Sequence, residues 1–328
     1  MHRSMLIAAL AAVGFATSAN AANDNLATRV TAKDGWAAYR VPLIDGVDGP
    51  CCYSVRGDDT KKGCDLDERS WSFDVDQTDP AVAAGGTLAV YLKVNHGRVE
   101  RIRSVAASCP VRTASEVRWI EPVDSANSVA LLSSLLDRKA GGADDHGLIA
   151  LAHHADASAM RALAARAEPS HSLKERQQAL FWLGQIRGAE GADVIERYAT
   201  TDADPKLRTK AIFALSQSKA PKAYAHILNI AHNDPDEEVR GESYFWLAQM
   251  DDPRARDDII SALKTEASDE VRKKAVFALS QLDDGAADEA LIAVLRGDYP
   301  RVVKKQALFW LGQSGSPRAM AYFDEALK

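Results

Sequence analysis

The chain has 328 residues, 46% of them hydrophobic and 26% charged, with a formal net charge of −6. Such a composition belongs to a globular protein of about two domains. The acidic balance speaks against nucleic acid as a partner, because that binding needs a basic surface to displace counterions.

Residues 1–21 read as a signal peptide. His2 and Arg3 give a weakly basic start, Met5 to Ala16 an apolar run, and Ala19-Asn20-Ala21 the small residues of a cleavage site. The run is well short of the roughly 20 residues that span a bilayer, and no later segment is apolar enough. The expectation is a periplasmic or secreted chain with no membrane span. In an oxidising compartment Cys51, Cys52, Cys64 and Cys109 are expected to form disulfides. Adjacent cysteines rarely bond to each other because the short connection strains the geometry. Successive strand residues also point to opposite faces. One of Cys51 and Cys52 is therefore expected on Cys64 and the other on Cys109, either way round. A thiol-redox centre at Cys51/Cys52 is the alternative, without the usual Cys-x-x-Cys spacing.

Residues 22–124 are assigned to a small, mainly antiparallel β domain, opening with a polar tether to about residue 33. Leu88, Val90, Leu92 and Val94 alternate along one face of a strand, Asn95-His96-Gly97 makes a turn, and Arg98 to Val105 returns. Trp36 to Ile44, Cys51 to Val55 and Glu116 to Ile120 supply further strands. Disulfides compensate for a small core. Residues 125–146 are a connecting helix and linker.

From 147 to 328 the sequence repeats. Ala179 to Gln185 (ALFWLGQ), Ala211 to Gln217 (AIFALSQ), Ser243 to Gln249 (SYFWLAQ), Ala275 to Gln281 (AVFALSQ) and Ala307 to Gln313 (ALFWLGQ) start 32 residues apart. Gly147 to His153 (GLIALAH) is a degraded sixth copy. Each unit predicts two helices joined by a turn. Ser172, Asp204, Asp236 and Ser268 fall at N-cap positions, and Pro300 departs from them. Pro221, Pro253, Gly285 and Pro317 mark the turn. Gly191, Ala223, Ala255, Ala287 and Ala319 are small enough for close helix approach. Ile195, Ile227, Ile259, Leu291 and Phe323 form a core column, as do Leu207, Val239, Val271 and Val303 with the Ala179 and Leu183 columns.

Four columns bear on the functional reading. Position 182 and its equivalents alternate as Ala150, Trp182, Ala214, Trp246, Ala278 and Trp310; this is volume compensation in a packed core and implies a two-unit period. Phe181, Phe213, Phe245, Phe277 and Phe309 lie more than ~100° round the helix from the leucine stripe, by the ordinary helical turn. They fall near Gln185, Gln217, Gln249, Gln281 and Gln313. The phenylalanines either fill the seam between successive first helices or form a partly exposed ladder. The glutamines either tie off the first helices or offer amides to a bound backbone. Arg176, Arg208, Arg240, Arg272 and Lys304 form a basic column, read as ion pairs to acidic loops such as Asp202, Asp204, Asp234 and Asp236, or as an anion groove weakened by those acids.

The pattern Val/Leu-Arg-x-x-Ala-hydrophobic-x-x-Leu resembles the HEAT repeat, in particular the short phycobilisome-lyase type. Leu207-Arg208 with Ala211 and Leu215, Val239-Arg240 with Leu247, and Val271-Arg272 with Ala275 and Leu279 carry the resemblance. It implies a right-handed α-solenoid of about six helical hairpins, usually a scaffold. The N-terminal module looks like one found beside such repeats in exported bacterial proteins. Bilin lyases of this class act inside photosynthetic cells, whereas this chain carries an export signal. HEAT-like hydroxylases use His-Glu pairs as iron ligands, and no His-Glu dipeptide occurs here.

His146, His153, His154 and Asp156 are the densest group of metal-type residues, but no two histidines stand four apart on one helical face. No phosphate loop or nucleophile elbow is present. The expectation is therefore a non-catalytic, cofactor-free exported scaffold that binds a protein or peptide through the Phe, Gln and Arg ladders (Arg208, Arg240 and Arg272). Self-association through the C-terminal unit, whose outer side includes Phe323, is the accompanying expectation.

Overall fold

The computed structural model describes residues 25–56, 59–68, 86–139, 146–283 and 285–326. The expected signal peptide lies outside these residues. The polar tether contains a short helix, α1 (Leu26–Thr31), capped by the Asn25 side chain. Its Leu26 and Val30 are buried, so this segment is tied down by two apolar side chains spaced one helical turn apart.

The strands are β1 (Gly35–Pro42), β2 (Tyr53–Arg56), β3 (Asp59–Lys62), β4 (Cys64–Asp65), β5 (Thr87–Asn95), β6 (Arg98–Ala106), β7 (Val111–Arg112) and β8 (Val117–Trp119). The main sheet has the order β6-β5-β1-β8. β5 pairs antiparallel with both β1 and β6, and β8 closes the edge parallel to β1. The β5–β6 turn places both His96 and Gly97 at positive φ, the backbone a tight two-residue hairpin needs. The alternation read from the sequence divides the two faces. Leu88, Val90, Leu92 and Val94 belong to a core that continues through the helices. Ala89 and Tyr91 face a second core formed with Trp36, Leu66 and the four cysteines. The disulfides are Cys51–Cys109 and Cys52–Cys64.

Helix α2 (Ser125–Asp137) follows, its N-terminus capped by Asp124. It buries Val129, Leu131, Leu132 and Leu135 in the shared core, so it is part of the packing and not only a connector. Six helical hairpins then form the solenoid: α3 (His146–His153) with α4 (Ala157–Ala165), α5 (Leu173–Ile186) with α6 (Gly188–Thr201), α7 (Pro205–Gln217) with α8 (Ala223–Asn233), α9 (Glu237–Ala248) with α10 (Ala255–Thr265), α11 (Asp269–Ser280) with α12 (Ala286–Arg296), and α13 (Arg301–Ser314) with α14 (Pro317–Ala326). First helices start 32 residues apart from α5 onward. Ser172, Asp204, Asp236 and Ser268 each accept a hydrogen bond from a backbone N–H of the first turn, and Pro300 supplies none. Leu207, Val239, Val271, Val303 and Ile195, Ile227, Ile259, Leu291 are buried between the two helical layers. Phe323, in the last second helix, is half-buried.

The β sheet seals the first end of this stack. The Ile44 N–H donates to the His153 carbonyl at 2.9 Å and the Ala155 N–H to the Pro42 carbonyl at 3.0 Å. The Ser104 hydroxyl donates to the His146 carbonyl at 3.2 Å. The carbonyls ending α3 are further held by Arg187, which donates to the carbonyls of Leu151 and His154.

Candidate functional site

The first helices stack on one another, and the phenylalanine column runs along the seam between them. Phe181, Phe213, Phe245 and Phe277 are half-buried; Phe309 is exposed. Both readings of this column therefore hold in part: each inner ring fills a seam and still shows an edge to solvent. Phe181 stacks on Phe213 with ring centroids 6.1 Å apart, and Phe245 on Phe277 at 5.9 Å. Phe213 meets Trp246 at 4.7 Å and Phe277 meets Trp310 at 4.9 Å. Within each tryptophan unit, Phe and Trp pack edge-on at 5.0 Å. The eight rings make one continuous aromatic seam, at separations where such pairs attract beyond simple burial.

The Trp/Ala alternation belongs to this seam. Trp182 is buried, but Trp246 and Trp310 are only half-buried, so the volume compensation lies between first helices and not deep in the core. Two kinds of interface result. From a Trp unit to the following Ala unit, Phe stacks on Phe and the helices approach closely. A Cβ placed on Gly184 would stand 2.2 Å from the Ala214 carbonyl oxygen. From an Ala unit to the following Trp unit, the indole wedges against the preceding phenylalanine. The α5–α7 and α9–α11 contacts are accordingly more extensive than α7–α9 and α11–α13.

Beside the seam, between α5 and α7, lies a shallow groove of about 340 Å³ lined by Lys174, Gln177, Gln178, Phe181, Trp182, Lys210 and Phe213. Its lysines and the two earlier glutamines were not singled out from the sequence. Gln177, Gln178 and Lys210 stand one helical turn before the phenylalanine column and Lys174 two turns before it, and that spacing was the available signal. The expected glutamines sit at the other end of the helices. Gln185 and Gln217 are half-buried, while Gln249, Gln281 and Gln313 are exposed. The Gln249 amide donates to the Gln281 carbonyl at 3.4 Å, bridging two helix ends. Those of Gln217 and Gln281 donate to Ser216 and Ser280 at 3.2 and 3.1 Å.

The arginine column points into the stack. Arg208 donates through Nε and Nη2 to both carboxylate oxygens of Asp234 at 2.8 Å, and through Nη1 to the Asp202 carbonyl at 2.9 Å. Arg240 repeats this with Glu266 at 3.0 and 3.2 Å and the Asp234 carbonyl at 2.8 Å. Arg176 pairs with Asp202. The same carboxylates accept the backbone N–H groups of Asp204, Asp236 and Ser268, so each pair ties a first helix to the next unit's entry loop. Asp204 and Asp236 act as caps, not ion-pair partners. The shared carboxylate raises the Arg208 and Arg240 pKa values, first through the hydrogen bond. Arg272 pairs instead with Asp269 at 2.8 Å. These arginines are committed internally, which removes Arg208 and Arg240 from an exposed recognition ladder.

The four cysteine sulfurs are buried under the sheet. The thiol-redox alternative needs a sulfur open to an attacking thiolate, and the fold gives none of the four that exposure. Among the described residues no group of three His, Cys, Asp or Glu is placed to hold a metal ion. His153 Nδ1 lies 2.8 Å from the Ile149 carbonyl, and His154 Nδ1 accepts the Asp156 N–H at 3.1 Å. Burial pulls the pKa of both down to about 4 and that of His146 to about 3, so all three are neutral packing groups at physiological pH. Among the described residues no helix is long and apolar enough to cross a membrane. That and the disulfides are compatible with export.

The match to a known family falls within the helical part. No curated protein sequence matches the chain. Among solved structures, human deoxyhypusine hydroxylase in complex with glycerol is 18% identical, over 57% of this chain and 84% of that one, with a TM-score of 0.27. An engineered protein is 20% identical over 61% and 93%, with a TM-score of 0.33. The complex of CpcE and CpcF of phycocyanin lyase from Nostoc is 17% identical over 57% and 99%, with a TM-score of 0.27. The HEAT-repeat family matches residues 160–243 and 224–312. The helical hairpins of this chain are a HEAT-like solenoid.

Proposed function

We propose that this repeat scaffold holds a protein or peptide partner along the first-helix face, in the periplasm or outside the cell, without catalysing a reaction. The observation that supports this is the half-open aromatic seam beside a groove whose rim carries Lys174 and Lys210, both exposed. Aromatic edges give apolar contact with little side-chain entropy to lose. The lysines favour a segment carrying carboxylates, and the amides along the same layer suit its backbone. Arg208, Arg240 and Arg272 contribute by stiffening the scaffold.

The test places a photocrosslinking side chain at Lys210, on the first-helix face, or at Arg197, exposed on the second-helix layer. Each protein is expressed in its native compartment. A partner captured from position 210, absent from position 197 and lost on Lys174→Glu, supports the assignment. Equal capture from both faces, or capture indifferent to Lys174→Glu, refutes it.

A further inference from the structure

The outer side of α13 is a second, separate interface, and an internal copy of it shows what it fits. Residues 307–313 repeat residues 179–185 letter for letter, and both heptapeptides end one residue before their helices do. In the internal copy α7 covers α5, and four features record the contact. Leu180 is 0% exposed. Phe181 stacks on Phe213. Gly184 receives the Ala214 carbonyl where a Cβ would stand. Arg176 pairs with Asp202, which lies just ahead of α7.

The terminal copy presents all four features unanswered. Leu308 is 48% and Phe309 52% exposed, and the ring that Phe309 meets is Trp310 of its own helix. Nothing lies within 4 Å of a Cβ built on Gly312. Lys304, at the Arg176 position, has no carboxylate partner among the described residues, and exposed Arg301 and Lys305 stand beside it. A notch at Gly312, an apolar ridge and a basic rim are together the negative of an α7-like helix.

We infer that the outer face of α13 docks an amphipathic helix of a partner protein, one that begins with acidic residues and presents alanine or glycine between an aromatic residue and leucine. A second copy of this chain does not offer that helix. Its helices of this type are α3, α7 and α11, and Ala150, Ala214 and Ala278 on them are already buried by their own neighbours. The inference does not depend on the groove between α5 and α7.

The probe is a helix-stapled peptide with the sequence of residues 202–218, titrated onto the full chain by fluorescence anisotropy. One peptide is expected to bind per chain. Gly312→Leu fills space that is open here, so the fold and its melting curve should persist while binding weakens at least tenfold, about 1.4 kcal/mol. Leu308→Gln should weaken it as well, and Lys174→Glu should leave it unchanged. Three results each overturn the inference: no binding, binding indifferent to both α13 variants, or concentration-dependent self-association that Gly312→Leu abolishes. The last would assign this face to a second copy.

Discussion

One substitution made in two identical heptapeptides should change stability in opposite directions. Gly184 and Gly312 each sit inside a first helix, where alanine is intrinsically better than glycine by about 1 kcal/mol. At Gly312 nothing opposes that gain, because the space beyond it is open. Gly312→Ala should therefore stabilise the protein by up to about 1 kcal/mol. At Gly184 the new Cβ would lie 2.2 Å from the Ala214 oxygen and 3.0 Å from its carbonyl carbon. Both are backbone atoms of a packed helix, and overpacking of this kind costs about 1–3 kcal/mol. The expected net for Gly184→Ala is a loss of about 1–2 kcal/mol after the propensity gain. Ala248 occupies the equivalent place in the middle tryptophan unit, but α9 stops at that residue, whereas α5 runs on to Ile186. Urea unfolding followed by circular dichroism and tryptophan fluorescence measures both variants. Shifts of the same sign, or a neutral Gly184→Ala, would show that the α5–α7 spacing relaxes and would refute the two-interface description.

Three further outcomes follow from the geometry. Asp234→Ala leaves the Arg208 guanidinium buried without its bidentate partner and should cost about 3–5 kcal/mol, against less than about 1 kcal/mol for removing the exposed Glu325 partner of Arg296. His153 and His154 have folded pKa values of about 4, held down chiefly by burial, against about 6.5 when unfolded. The unfolded chain thus binds more protons between those values, and stability falls as pH drops below 6.5, by up to about 3 kcal/mol per histidine near pH 4. Urea midpoints at pH 7.5 and 5 should differ for that reason, and the difference should shrink in a His153→Gln/His154→Gln variant, which keeps the contribution of buried His146; an unchanged midpoint difference rejects the assignment. Thiol titration of the native protein should find no reactive cysteine, and four after unfolding in reductant. A reactive thiol or readily reduced bond in the folded chain would revive the redox alternative.

The repeat was legible because every unit solves the same packing problem with the same letters. Column identity therefore reported burial directly at Leu207, Ile195 and their equivalents, with the terminal Phe323, half-buried, as the exception. The β hairpin was legible for a similar reason: alternation at Leu88, Val90, Leu92 and Val94 has one solution on a pleated strand. What the sequence left open depends on contacts between elements far apart in the chain. The choice of Cys51 for Cys109 and Cys52 for Cys64 is made by the chain's path beneath the sheet. The helix at Leu26–Thr31 buries only two apolar residues, Leu26 and Val30, and it exists because the sheet and α2 offer somewhere to bury them. The candidate site was half legible. The aromatic column was visible as a periodicity, whereas its half-buried state, and the lysines that rim its groove, follow from how closely α5 and α7 approach.

The phase of the alternation links the two ends of the solenoid. The first unit is of the alanine type, and its outer side is closed by the sheet, with Leu43 bridged to His154 and Ile44 bonded to His153. His153 stands there where later units carry glutamine. A position that meets solvent in the repeats is buried at this junction, and an imidazole against the Ile149 carbonyl suits it better than a free amide would. Counting forward, tight interfaces fall after the second and fourth units, and the sixth unit presents a third tight surface outward. Shifted by one unit, the same repeats would expose an alanine unit with no glycine notch and an unmatched phenylalanine edge. The alternation therefore does more than fill volume: it makes the two ends chemically different, one built into the β domain and the other shaped for a helix.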